Sequence, residues 1–254
     1  MSGKKAREER REQRLHEEGE VAAEERRRRL LQLGSAVAFL AVVAVAVVIV
    51  ISQNQTSGGD TNLEDVSTVR SQLEGIPQKG MVLGEPQAKV TLIEFGDLQC
   101  PVCKGYSEGI LPEVIASKVR GGEAKIEFRN YTIISEESIP AGAAAIAAGE
   151  QGRAWNFIEL FYRNQGQEAS GYVTDAFLNG IAKGAGVPDL ARWKQERKRN
   201  SALAAVRKTT SEAESLGFTG TPSFAVTGPG AGGVKTLGTP GSAGAIEEAI
   251  DEAG

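Results

Sequence analysis

The chain has 254 residues, with 29 Lys and Arg against 33 Asp and Glu, a net charge of −4, one histidine and two cysteines. This balance, with no broad basic stripe after residue 78, argues against a nucleic-acid partner. The one histidine, His16, lies in a charged N-terminal tail, which excludes a Ser-His-Asp hydrolase, a Cys-His protease or a His-ligated metal in the folded region; any disulfide within the chain must join Cys100 to Cys103.

Residues 1–29 hold ten Lys or Arg and eight Glu without apolar periodicity, and read as a solvated cytoplasmic tail. Leu30 to Ile51 follows as a run of 22 residues whose only non-apolar members are Gln32, Gly34 and Ser35. At 1.5 Å per residue it reaches about 33 Å, enough to cross a hydrocarbon core of about 30 Å. A cleaved signal peptide competes with a transmembrane helix at 30–51. The long charged stretch before the run, and Ser52-Gln53-Asn54-Gln55 after it in place of a small-x-small site, favour an uncleaved anchor in the lipid bilayer. Arg26 to Arg29 abut the run, and the other flank has no Lys or Arg before Arg70. The positive-inside rule therefore predicts a single-pass protein of the cell membrane, N-terminus cytoplasmic and the rest extracytoplasmic. Residues 52–78, rich in Ser, Thr, Gln, Asn and Gly, read as a flexible linker.

The remainder, 79–254, reads as one α/β domain. Lys89–Phe95 is a short β-branched and apolar run that predicts a strand, followed by the cysteine pair and a helical stretch to about Lys118. Lys125–Thr132 predicts a second strand with Ile126, Phe128 and Asn130 on one face. A helical stretch runs from about 139 to 200, where Trp155, Ile158, Phe161 and Tyr162 form an aromatic stripe that reads as packing surface, and Lys194, Arg197, Lys198 and Arg199 as a solvated face. Ser201–Leu216 predicts another helix closed by Gly217, then strands at Ser223–Thr227 and Val234–Leu237 and a helix from about Ser242 to Glu252. Helices against a central sheet follow from this order. Gly228-Pro229-Gly230-Ala231-Gly232-Gly233 matches GxGxxG, but a strand follows it rather than a helix, so it reads as a hairpin loop.

Cys100-Pro101-Val102-Cys103 falls where a strand ends and a helix begins. The free N–H groups and dipole of a helix N-terminus stabilise a thiolate, the attacking species in disulfide exchange. Cys100 is the nucleophile on this reading and Cys103, one turn on, resolves the mixed disulfide. Three other readings compete. A structural disulfide closing so short a loop restrains the unfolded chain little; a zinc half-site needs two further ligands that the domain lacks; two unrelated free thiols are disfavoured in an oxidising compartment. Gly220-Thr221-Pro222-Ser223-Phe224 puts a proline at a strand entry, either as a turn residue or in cis.

Together these residues resemble the thioredoxin superfamily and, more closely, its DsbA-like branch. The resemblance spans about Val82 to Ala253. It rests on Glu94-Phe95, the Cys100-Pro101-Val102-Cys103 motif, Leu111-Pro112 and Gly220-Thr221-Pro222-Ser223, with Gly149-Glu150-Gln151-Gly152 followed by Trp155 and Phe157. It implies a thioredoxin-like fold with a helical insertion at about 138–200 and no cofactor or metal. Cys100 would attack, Cys103 resolve, and Pro222 be the cis-proline facing them. Thr221 would offer its backbone to a bound substrate chain, with Pro101 and Val102 beside it, and Glu94 would manage the proton of Cys103. Against that last role stands a charged residue at a strand edge. Val102 replaces the histidine of the strongest oxidants, which implies a weaker oxidant. The expected function is a thiol–disulfide oxidoreductase donating disulfides to secreted or surface proteins and re-oxidised by a membrane partner. A reductase or isomerase using the same pair, and a tethered peptide-binding module without turnover, remain alternatives.

Overall fold

The computed structural model describes residues 63–254. The charged tail, the apolar run at 30–51 and the first part of the linker lie outside the described residues. Among the described residues no helix is long and apolar enough to cross a membrane.

A six-stranded sheet organises the domain. Its centre is β3 (Val90–Gly96), flanked by the parallel β4 (Ala124–Asn130) and the antiparallel β5 (Ser223–Thr227); β6 (Lys235–Gly238) extends the β5 side, and the two-residue strands β1 (Gln78–Lys79) and β2 (Val82–Leu83) extend the β4 side. Strand β3 is apolar at nearly every position because both of its faces are covered. In β4 the buried residues alternate, and Ile126, Phe128 and Asn130 share the buried face as expected. Register puts Glu94 opposite Phe128 on one side and Phe224 on the other. Its side chain therefore points to the same face as Leu92, Ile126 and Phe128, into the larger core. Ile93 and Phe95 point the other way, against Phe218 and Ala213.

The predicted helical stretch after the cysteines breaks in two. Helix α2 (Pro101–Gly109) ends at Ile110, and α3 (Leu111–Val114) runs into a π-helical turn at Ile115–Val119. Pro112 lacks the N–H that a continuous helix would need there. The stretch at 139–200 is four helices, not one: α4 (Ser138–Gly149), α5 (Ala154–Arg163), α6 (Asp175–Gly184) and α7 (Leu190–Glu196). They form the helical insertion between β4 and α8 (Asn200–Ser215). The chain closes with α9 (Ala243–Ala253), which packs on β3, β5 and α3.

The aromatic stripe is core, as read: Trp155, Ile158, Phe161 and Tyr162 are all buried, and the Trp155 indole donates to the Met81 carbonyl at 2.9 Å. Two expectations need correction. The linker does not extend to residue 78: Val66–Leu73 forms α1, with Val69 and Leu73 buried against the domain. Val66, Val69 and Leu73 fall at i, i+3 and i+7, an apolar face that overall polarity concealed. The basic run is not wholly solvated either. Arg197 is only 5% exposed; its guanidinium lies 5.0 Å from the Trp193 ring centre and donates to Asp175 at 2.7 Å. The GxGxxG segment is the hairpin loop between β5 and β6, where the Gly230 N–H donates to the Ala253 carbonyl at 2.9 Å.

Candidate redox site

The site is built at the end of β3. Gly96 closes the strand under the rings of Phe128 and Tyr162, so tightly that a Cβ there would lie 2.7 Å from Phe128. The buried Asp97 carboxylate then ties the turn together: it accepts from the N–H groups of Gln99 (2.9 Å), Ile133 (2.8 Å) and Ile134 (3.0 Å). Its backbone carbonyl accepts from Cys100 N–H at 3.0 Å and from the Tyr162 hydroxyl at 3.3 Å. The insertion grips the same turn. Gln165 donates to the carbonyls of Leu98 and Cys100, at 2.7 and 3.2 Å, and the Gln99 side chain accepts from Ala169 N–H.

Out of this turn Cys100 emerges as the N-cap of α2, with Pro101 in the first turn where its missing N–H costs nothing. Cys103 N–H donates to Cys100 Sγ at 3.4 Å, and the two cysteines, both free, lie 3.6 Å apart. A change of side-chain torsion can close that gap to a sulfur–sulfur bond. Opposite, the Cys100 thiol faces the Thr221 carbonyl at 3.4 Å, and Thr221-Pro222 is a cis peptide bond. Val102 is 53% exposed beside them.

The two thiols are unequal. Hydrogen bonding from the Cys103 thiol, aided by the Thr221 side chain and the N–H groups of Cys103 and Val102, lowers Cys100 to a pKa of about 6 against the opposing effect of burial. The thiolate is therefore its main form at pH 7. Cys103 is fully buried, and burial followed by the neighbouring Cys100 sulfur raises it well above an ordinary thiol. Glu94 is no strand-edge residue: it is 1% exposed in the central strand, neither carboxyl oxygen has a hydrogen-bond partner, and burial raises it to about 8.

Sequence reasoning missed four residues here: Asp97, Gln165, Ser107 and Glu159. Glu159 is buried in α5 and accepts from the Ser107 hydroxyl of α2 at 2.9 Å. Its signal was legible, because a carboxylate inside the otherwise apolar segment Phe157–Tyr162 has no solvent to face.

A cysteine pair at a helix N-terminus after the central strand, with a proline loop across from it and a helical insertion in the sheet connection, defines a thioredoxin-fold dithiol protein. A family model described as Thioredoxin matches residues 77–250, and the chain belongs to that family. It is 29% identical over 150 residues to the probable disulfide bond formation protein D of Bacillus anthracis, covering 58% of this chain and 69% of that one. Its fold is similar to that of oxidised BdbD from Bacillus subtilis, with a TM-score of 0.60 at 23% identity over 70% of this chain and 97% of that one. A third likeness is to part of a Na(+)/H(+) antiporter, NhaA 1 of Mycolicibacterium gilvum: 29% identity over 60% of this chain but only 24% of the antiporter. With these relatives and this dithiol, the chain is a protein thiol:disulfide oxidoreductase of the DsbA-like kind.

Proposed function

We propose that the chain is a membrane-anchored disulfide donor acting outside the cytoplasm on secreted or surface proteins. The observation that carries this reading is the inequality of the two thiols. A substrate thiolate attacks Cys100 Sγ of the oxidised pair; the Cys100–Cys103 bond breaks, and Cys103 leaves with the electron pair. A second substrate thiolate then attacks the substrate sulfur of the mixed disulfide and expels Cys100 as thiolate. The substrate loses two electrons and the dithiol gains them. Cys100 is the better leaving group because its thiolate is stabilised where it sits.

Stabilising the reduced thiolate is what makes such a pair oxidising. Attacking cysteines of this motif run from about 3.5 in the strongest oxidants to about 7 in reductases. At about 6, Cys100 supports a donor of moderate strength, in keeping with Val102 in place of a cation. Thr221 and cis Pro222 face Cys100, so a substrate chain laid beside Thr221 would add as a strand, over Pro101 and the exposed Val102. Glu94, on the core side, serves the proton of Cys103.

The extracytoplasmic placement rests on the apolar run at 30–51 with Arg26 to Arg29 before it. A related segment within a membrane antiporter agrees with work at a bilayer. A membrane redox partner must then take two electrons from the reduced pair. Acid trapping of thiols in living cells tests the direction: Cys100 and Cys103 of a donor should be mostly oxidised at steady state. A pair found mostly reduced makes the protein a reductase instead.

A further inference from the structure

Below the redox pair lies a second titratable group that the exchange steps above do not use. Helix α2 carries Cys103 and Ser107 four residues apart, hence on one face, turned to the core. Ser107 donates to Glu159 Oε2 at 2.9 Å, while Glu159 Oε1 is buried and has no partner. From the sheet side, Glu94 brings two more partnerless oxygens into the same core. Helix α5 reaches the end of β3 where the Tyr162 hydroxyl lies over Gly96, and two fully buried carboxyl groups on these elements, with three of their four oxygens unsatisfied, cannot both be charged at moderate cost.

We propose that Glu159, held by Ser107, is the partner carboxylate of Glu94, so that between their two ionisations the pair carries one proton and the Glu159 charge keeps Glu94 as the protonated member serving Cys103. The proposal rests on the reading of Cys103 as the leaving thiol. When the substrate thiolate breaks the Cys100–Cys103 bond, Cys103 leaves as a buried thiolate. Glu94 gives it a proton, becoming a carboxylate while Cys103 becomes a thiol; solvent later restores the Glu94 proton. In the reverse step Glu94, ionised, takes the proton of Cys103 as its sulfur attacks the mixed disulfide. Glu159 touches no reacting atom. It is a positioning residue, acting through its charge.

The groups around the pair divide the proton unequally. Burial raises Glu159 to about 7, opposed by the Ser107 hydrogen bond and the Arg163 charge and assisted by Glu108. Burial and then the Glu159 charge raise Glu94 to about 8. Cys103, on α2, and Tyr162, on α5, also feel the Glu94 charge; burial above all raises both, and they stay neutral through this range. The Ser107 hydrogen bond favours the charged form of Glu159, and no donor does the same for Glu94, so Glu159 ionises first as pH rises.

The test is an infrared titration of buried protonated carboxyl in the full-length reduced protein, which reads the pair without any exchange reaction. Wild type is expected to show two midpoints, near 7 and 8. Glu159→Gln, which still accepts from Ser107, is expected to leave one midpoint, moved down from 8 by on the order of one unit because the like charge is gone. Ser107→Ala should raise the lower midpoint, and it carries the test if Glu159→Gln does not fold. The rate at which Cys103 resolves a preformed mixed disulfide should follow, its rising limb shifting to lower pH in Glu159→Gln by the same amount. A Glu94 midpoint that stays at 8 in Glu159→Gln, or a lower midpoint unmoved in Ser107→Ala, overturns the proposal. Loss of exchange with the infrared shifts intact would instead fault the assignment of the dithiol.

Discussion

Glu94→Gln isolates the energetic cost of the buried acid. In the folded protein Glu94 holds its proton to about pH 8, against 4.5 for an ordinary glutamate. Between those values the unfolded chain is ionised and the folded one is not, so the folded state binds more protons and stability falls as pH rises. At 1.36 kcal/mol per unit, the 2.5 units from 4.5 to 7 remove about 3 kcal/mol; the full 3.5 units remove about 5 kcal/mol by pH 9, after which the loss levels off. The glutamine side chain of the variant has the same shape and never ionises, so this slope disappears. A constant penalty for the buried amide, about 1–3 kcal/mol, offsets the whole curve without tilting it. Denaturant unfolding of the reduced proteins, followed by fluorescence of the buried Trp155 and Trp193, gives both curves. The stability of Glu94→Gln relative to wild type should rise by about 3 kcal/mol from pH 4 to pH 7 and by about 5 kcal/mol in all by pH 9. Parallel curves across that range would refute a protonated, buried Glu94.

Alkylation of Cys100 against pH should rise with a midpoint near 6, and Cys103→Ala should move it upward, because the Cys103 thiol is the largest stabilising influence on the Cys100 thiolate. A midpoint unchanged in Cys103→Ala would assign that stabilisation to the helix terminus alone. Val102→His adds a cation beside the thiolate; equilibration with glutathione should show a more oxidising pair, and an equal or lower potential would contradict the explanation from the missing histidine. Gly96→Ala forces a methyl to within 2.7 Å of Phe128 and should cost about 1–3 kcal/mol in thermal or denaturant unfolding.

Much of this arrangement is legible in the sequence. The strand at 90–96 follows from its β-branched composition, and the helix start follows from Pro101 directly after Cys100; both needed only local signals. The resemblance supplied what spacing does not, namely that residues 221 and 222 return to face residue 100 across 121 positions. What stayed hidden depended on tertiary neighbours. Helix α1 has a polar average and declares itself only through three apolar residues that find a core in the insertion. Gln165 is an ordinary glutamine until the insertion folds back over Leu98 and Cys100. Arg197 reads as solvent-facing until Trp193 and Asp175 enclose it. Glu159 was the readable exception: a charge at a buried helical position signals either a partner or a raised pKa, and it has both.

The mechanism depends most on exchange running through Cys100 with Cys103 as the group that leaves and returns. Cys103→Ser removes the resolving sulfur and leaves the nucleophile, so mixed disulfides should accumulate when the Cys100 thiolate of this variant attacks disulfide-bonded proteins, one substrate sulfur leaving as thiolate. Mass spectrometry of the reducible adducts should find the linkage at Cys100, and Cys100→Ser should yield none. Adducts formed equally well through Cys103 in the Cys100→Ser variant, or no adducts with either, would contradict it.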